Sequence, residues 1–133
     1  MLQKILILCL FFSFSFSTSR FDTLKKLLMD MEASEASYII CQNFLVLQTN
    51  YANLLPPIPK NDVCIAEYQL MDNPNSLNEA INYLDRQFCF NDFLKAFLSS
   101  KATFEAKFYN SNGSLQKTKR YNQYNRPACT LLR

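Results

Sequence analysis

Residues 76–98, SLNEAINYLDRQFCFNDFLKAFL, hold the strongest pattern in this 133-residue chain. Ser76 and Glu79 have the spacing of a capping box, in which the hydroxyl takes a first-turn N–H and the carboxylate reaches back. Leu77, Ile81, Leu84 and Phe88 follow at three- and four-residue steps and form one apolar helix face. Asn91 is placed to recap a continuation that bears Phe93, Leu94, Phe97 and Leu98. The stretch predicts a helix followed by a second, shorter one.

Upstream, apolar residues at 24, 27, 28, 31, 38, 41, 45, 52 and 55 keep mostly helical spacing. The small, polar run 32–37 either leaves one long helix or breaks it into two. Pro56-Pro57-Ile58-Pro59 ends it, because proline cannot donate and clashes with the preceding turn. Asn61 is read as the cap of a short helix, Asp62 to Met71, with Ile65, Tyr68 and Met71 inward. Asp72-Asn73-Pro74-Asn75 is a turn. Downstream the pattern weakens after Ser100. Thr103 to Tyr109 either prolongs the helix or forms a strand, since Phe104, Ala106 and Phe108 alternate. A strand there, paired with Leu115 to Tyr121 across Asn112-Gly113, makes a hairpin. Residues 122–133 read as a tail pinned at Cys129.

The chain has a single Gly, which starves the tight turns that many short strands require. The expected fold is therefore mainly α: three or four helices in a small disulfide-stapled domain, with a short C-terminal β-hairpin as its one β element. A saposin-like framework wants paired cysteines near both ends of the chain. Those here are single and wide-set, so no family is identified.

The N-terminus reads as a secretory signal peptide. Lys4 supplies a positive start, residues 5–16 are apolar apart from two Ser, and Ser17, Thr18 and Ser19 are small. The apolar run has 12 residues, short of the roughly 20 that span a membrane. Cleavage after Ser19 places the mature start at Arg20, and cleavage after Ser17 places it at Thr18. The expected organisation is a signal peptide at 1–19 and a single helical domain at 20–133, with a basic tail from about 117. Cys9 leaves with the signal. Cys41, Cys64, Cys89 and Cys129 remain, an even count that implies two disulfides in an exported chain. Three connectivities are open. Packing the 62–71 helix antiparallel to the 76–90 helix leans toward Cys64–Cys89 with Cys41–Cys129, provided the short helix tilts or unwinds. Asn112-Gly113-Ser114 is a glycosylation sequon in a turn cluster, so Asn112 is a candidate glycan acceptor.

The absence of His removes Ser-His-Asp and Cys-His machinery and His-ligated metal, and one Gly removes the glycine-rich phosphate loops. No C-x-x-C pair exists to suggest zinc or redox chemistry. The carboxylates Asp30, Glu32, Glu35, Asp85 and Asp92 show no spacing that singles out an acid–base pair. The expectation is no enzyme, no metal and no cofactor.

Charge is uneven. Residues 20–94 hold five basic and ten acidic groups, whereas residues 95–133 hold eight basic groups and Glu105 alone. Lys117, Lys119, Arg120, Tyr121, Tyr124 and Arg126, with Arg133 at the end, form a basic-aromatic segment suited to an anionic surface. The Phe-rich helix either lines a lipid pocket or, more simply, fills a core. The leading functional expectation is a secreted, extracellular, non-catalytic module that binds a protein or a small apolar ligand. The alternative is a membrane-active or anionic-surface protein that uses the basic segment on anionic lipid or polysaccharide. Export argues against nucleic acid, and no membrane-spanning segment is expected.

Overall fold

The computed structural model describes residues 20–132, so the signal peptide reading at 1–19 and Arg133 lie outside the described residues. The elements run α1 (Arg20–Asp30), α2 (Ala33–Gln42), α3 (Phe44–Leu47), β1 (Ala52–Leu54), β2 (Ile58–Lys60), β3 (Val63–Leu70), α4 (Ser76–Phe90), α5 (Asp92–Phe97), β4 (Thr103–Tyr109) and β5 (Leu115–Tyr121), then a 3₁₀ turn at Cys129–Leu132. This corrects the expectation of a mainly α domain. A five-stranded mixed sheet in the order β1-β3-β4-β5, with β2 also on β3, makes the fold α/β.

The largest departure is residues 62–71. Cys64, Ala66, Tyr68 and Leu70 are buried in alternation, the period of a strand with one covered face. Asn61 does not cap a helix. It adopts a φ of 58°, a left-handed conformation that Asn tolerates better than most residues, in the Asn61-Asp62 link between Lys60 and its partner Val63. β1 and β2 lie along one edge of β3, with Leu54 opposite Tyr68 and Ile58 opposite Ile65. Between them Pro56 and Pro57 lack N–H groups, so the edge strand breaks in two.

β3 and β4 are parallel, from Val63↔Thr103 to Gln69↔Tyr109. Such a pair needs a long crossover, here α4 and α5, rather than a tight turn. The glycine argument therefore failed: the crossover and Asn61 spare the glycines that an all-antiparallel sheet demands. The one glycine, Gly113, has φ 87° in the β4–β5 turn, and Asn110 Oδ1 accepts from Asn112 N and Ser114 N in the same turn. The C-terminal hairpin is present, with Phe104↔Tyr121 and Ala106↔Lys119 in register.

The two helices read from residues 76–98 are present, and the Asn91 side chain caps the second by accepting from Leu94 N at 3.1 Å. Ser76 is not a cap. Asn75 holds that position without a side-chain bond, and Ser76 is buried in the first turn. The upstream helix breaks at Met31-Glu32 and stops at Leu47 rather than Leu55. Lys101 and Glu105 lie before and within β4, and Glu105 pairs with Arg120.

The core lies between the helices and one sheet face, where Ala66, Tyr68, Phe104 and Phe108 meet Leu28, Ile40, Leu84, Phe88 and Phe97. Phe88 stacks on Tyr121 with ring centroids 4.2 Å apart and also meets Phe97 and Phe104. Phe88, Phe97 and Phe104 thus pack on one another as core, whereas Phe90 is exposed. Tyr121 Oη donates to Asp85 Oδ1 at 2.6 Å, and Tyr68 Oη donates to the Leu47 carbonyl at 2.6 Å.

The cysteine pairs are Cys41–Cys64 and Cys89–Cys129, with Cα separations of 5.7 and 5.5 Å. This corrects Cys64–Cys89 and Cys41–Cys129. That lean required a helix at 62–71. As a strand, the segment presents Cys64 to the helix layer, where the last turn of α2 meets it. Ser37 Oγ reinforces this seam by donating to the Asn61 carbonyl at 2.6 Å. Bridges spanning 23 and 40 residues restrict the unfolded chain by about 3–4 kcal/mol each.

Two measurements follow from this packing. Non-reducing peptide mapping should recover Cys41–Cys64 and Cys89–Cys129 peptides and no Cys64–Cys89 peptide. Burial pushes the Tyr68 and Tyr121 hydroxyls well above the ordinary tyrosine value, and for Tyr121 the Asp85 carboxylate adds to the effect. The fold favours their protonated forms. That stabilisation is complete below about pH 10, the unfolded value, and is lost as pH rises beyond it. Alkaline absorbance titration should show that at least two of the seven tyrosines ionise only with unfolding.

Candidate functional site

Four of the six residues expected to meet an anionic surface come together. Lys117, Lys119, Arg120 and Arg126, with Thr118 and Asn125, line an open cleft of about 450 Å³ along β5. The other two do not belong with them. Tyr121 is fully buried in the core, and Tyr124 is 85% exposed outside the cleft lining. The cations also hold the fold. Lys119 Nζ lies 3.5 Å from Asp85 Oδ1, and Arg120 Nη2 lies 3.4 Å from Glu105 Oε1. Arg126 Nη2 donates to the Leu98 carbonyl at 3.0 Å. Lys117 and Lys119 pair in register with Phe108 and Ala106 on the helix side of the sheet, while Arg120 pairs with Glu105 on the other side. The basic residues of that segment thus gather, but its two tyrosines do not join them.

A second surface was missed from the sequence. Cys41 and Gln42 at the end of α2, with Leu54, Leu55, Pro56 and Pro57, line a groove of about 320 Å³. Its cause is local. The proline pair interrupts the edge strand, and the Cys41–Cys64 bridge holds the end of α2 beside the gap. The Leu55 N–H still donates to the Glu67 carbonyl at 3.0 Å, which anchors the chain just before the break. Leu55 is 47% exposed, and Ile58, beyond the prolines, is 56% exposed. The groove lining holds no titratable side chain, because Cys41 is bridged. It can bury apolar side chains and offer the Gln42 amide, and it has no group for acid–base or nucleophilic work. The Pro56-Pro57 run was the available signal, read only as a helix stop.

The Asn112 sequon lies in the exposed β4–β5 turn. On the sheet face away from the helices, Tyr109 shares a hydrogen bond with Glu67, which raises its hydroxyl above the usual value.

The architecture is similar to that of two solved pilotins of type II secretion systems. The pilotin AspS from Vibrio cholerae matches with a TM-score of 0.54 and 16% identity, over 78% of this chain and 93% of that one. The pilotin EpsS from Vibrio vulnificus matches with a TM-score of 0.54 and 13% identity, over 81% of this chain and 96% of that one. At these identities the likeness is one of fold. No protein-family model matches the sequence, and no curated protein does.

If Leu55 is a surface residue of a binding groove, replacing it should leave the fold intact. Leu55→Asp should shift unfolding by no more than about 0.5 kcal/mol in a denaturant titration, the usual range for exposed sites. A loss of about 2 kcal/mol or more would mark Leu55 as part of the core instead.

Proposed function

We propose that this chain is an exported, non-catalytic binding module that docks a partner protein, in the manner of a pilotin serving a type II secretion system. The observation that supports this reading most is the likeness of fold to two pilotins across almost their whole length, 93% and 96% of those chains. The groove at the Pro56-Pro57 break agrees with it, being apolar, uncharged and open at the surface. A protein segment suits this groove better than a small apolar ligand, since the aromatic core closes on itself.

The test is co-purification of the full chain with tagged secretion-system components from its own source. A stable complex that Leu55→Asp weakens by about tenfold, or about 1.4 kcal/mol, is the expected result. Retention of no secretion component by the unaltered chain would overturn the reading. Export is tested separately: N-terminal sequencing of the exported form should begin at Arg20 or Thr18, and a chain that keeps Met1 would count against a cleaved signal. Glycosylation at Asn112 is read from a mass shift after enzymatic deglycosylation of the same material.

A further inference from the structure

The sheet has two edges, and they are built in opposite ways. On the β1–β2 edge the strands have three residues each, Pro56 and Pro57 separate them, and Pro59 sits inside β2. Proline has no N–H to offer, so positions 56, 57 and 59 give another strand no donor, and this edge is short and broken. On the other edge β5 runs for seven residues without proline, and among the described residues all its strand pairing is to β4. Every second residue of β5 therefore turns its N–H and C=O away from the sheet. Residues 115–118 and Arg120 are exposed, and Lys119 is half-buried.

The cleft along this edge has four cationic side chains and no acidic one in its lining. Asp85 offsets Lys119 and Glu105 offsets Arg120, both from within the sheet and helix layers. Lys117 is exposed, and among the described residues Arg126 bonds to the neutral Gln123 and Leu98 carbonyls, so a net positive charge remains at the edge. The cations are also divided between the two faces. Lys117 and Lys119 stand on the helix side and Arg120 on the other. A strand alternates its side chains between the two faces of a sheet, so a strand laid beside β5 meets both sets. A headgroup plane meets one set and leaves the unpaired N–H and C=O groups unused.

We propose that β5 takes up an extended acidic segment of a partner protein as an added strand, bracketed by Lys117, Lys119, Arg120 and Arg126. This deepens the binding-module reading by naming a second contact and its chemistry, and it rests on that reading. The same residues disfavour a second copy of this chain, because β5 against β5 sets like charges opposite one another. Repulsion of its own kind and attraction of an acidic strand are one charge pattern.

The test uses the full, disulfide-bonded chain and a fluorescent peptide of about eight residues in which pairs of Glu alternate with pairs of Val, so that an added strand carries carboxylates on both faces, followed by anisotropy. Two derivatives carry N-methyl groups on alternate backbone amides, one set in each. A third replaces Glu by Lys, and vesicles rich in phosphatidylglycerol serve as a separate probe. The acidic peptide should bind saturably and more weakly as salt rises. One methylated set should abolish binding while the other is tolerated, since only one set of amides faces β5. Lys117→Glu should weaken binding by about tenfold, and the Lys peptide should not bind. Equal binding by both methylated peptides would reduce the site to charge attraction and overturn the proposal. So would no binding of the acidic peptide, or vesicle binding that depends on Lys117 in its place. Leu55→Asp separates the two readings. Peptide binding should survive it while the partner complex weakens; an unaltered chain that binds the peptide but retains no secretion component counts against the secretion-system reading alone. A partner complex that forms while the peptide fails to bind counts against the β5 proposal alone.

Discussion

Strand β3 must cover Cys64, Ala66, Tyr68 and Leu70 on one side while satisfying backbone groups along both of its edges. The rest of the architecture answers that demand. Its covered side requires helices, and α2 meets it directly, locked there by Cys41–Cys64 and by Ser37 on the Asn61 carbonyl. One edge is met by β4, which runs parallel and therefore forces the chain through α4 and α5. The other is met by β1 and β2 in succession. Tyr68 shows how complete the burial is: its hydroxyl finds its partner in the Leu47 carbonyl, at the end of α3. A polar group placed that deep costs about 1–3 kcal/mol if left unpaired.

What could be read from sequence was local. The helices of residues 76–98, the Asn91 cap and the 103–121 hairpin depend on neighbours within a few positions, and all three are present. Residues 62–71 were misread because both periods fit them. Ile65, Tyr68 and Met71 suit a helix, whereas Cys64, Ala66, Tyr68 and Leu70 suit a strand. Only β4, some forty residues later, decides between the two. The disulfide error follows from this one, since helix and strand place Cys64 differently. Ser76 illustrates a smaller failure: a motif with the right spacing lost its cap role to the preceding Asn75.

The site divides in the same way. Lys117, Lys119, Arg120 and Arg126 were found because charge accumulates visibly along 117–126, and they do gather in one cleft. Tyr121 was grouped with them by proximity in sequence. Its register partner Phe104 faces the core, and that fixes the ring against Phe88. The groove was illegible because its lining comes from residues 41–42 and 54–57, brought together by a bridge whose pairing the sequence left open.

The two sheet edges show how the fold keeps one surface quiet and another available. An unpaired edge invites any strand, including another copy of the same chain. At β1–β2 three prolines remove donors, and the gap they leave becomes an apolar groove suited to side chains rather than to backbone. At β5 the backbone stays open, and selection passes to charge. Lys119 and Arg120 lie against Asp85 and Glu105, which narrows the range they sweep through solvent. An ordered cation costs less side-chain entropy when a partner arrives than a freely moving one does. The acidic residues behind β5 therefore do more than offset charge: they preorganise the edge, and they do so from α4 and β4, the elements that the parallel crossover set in place.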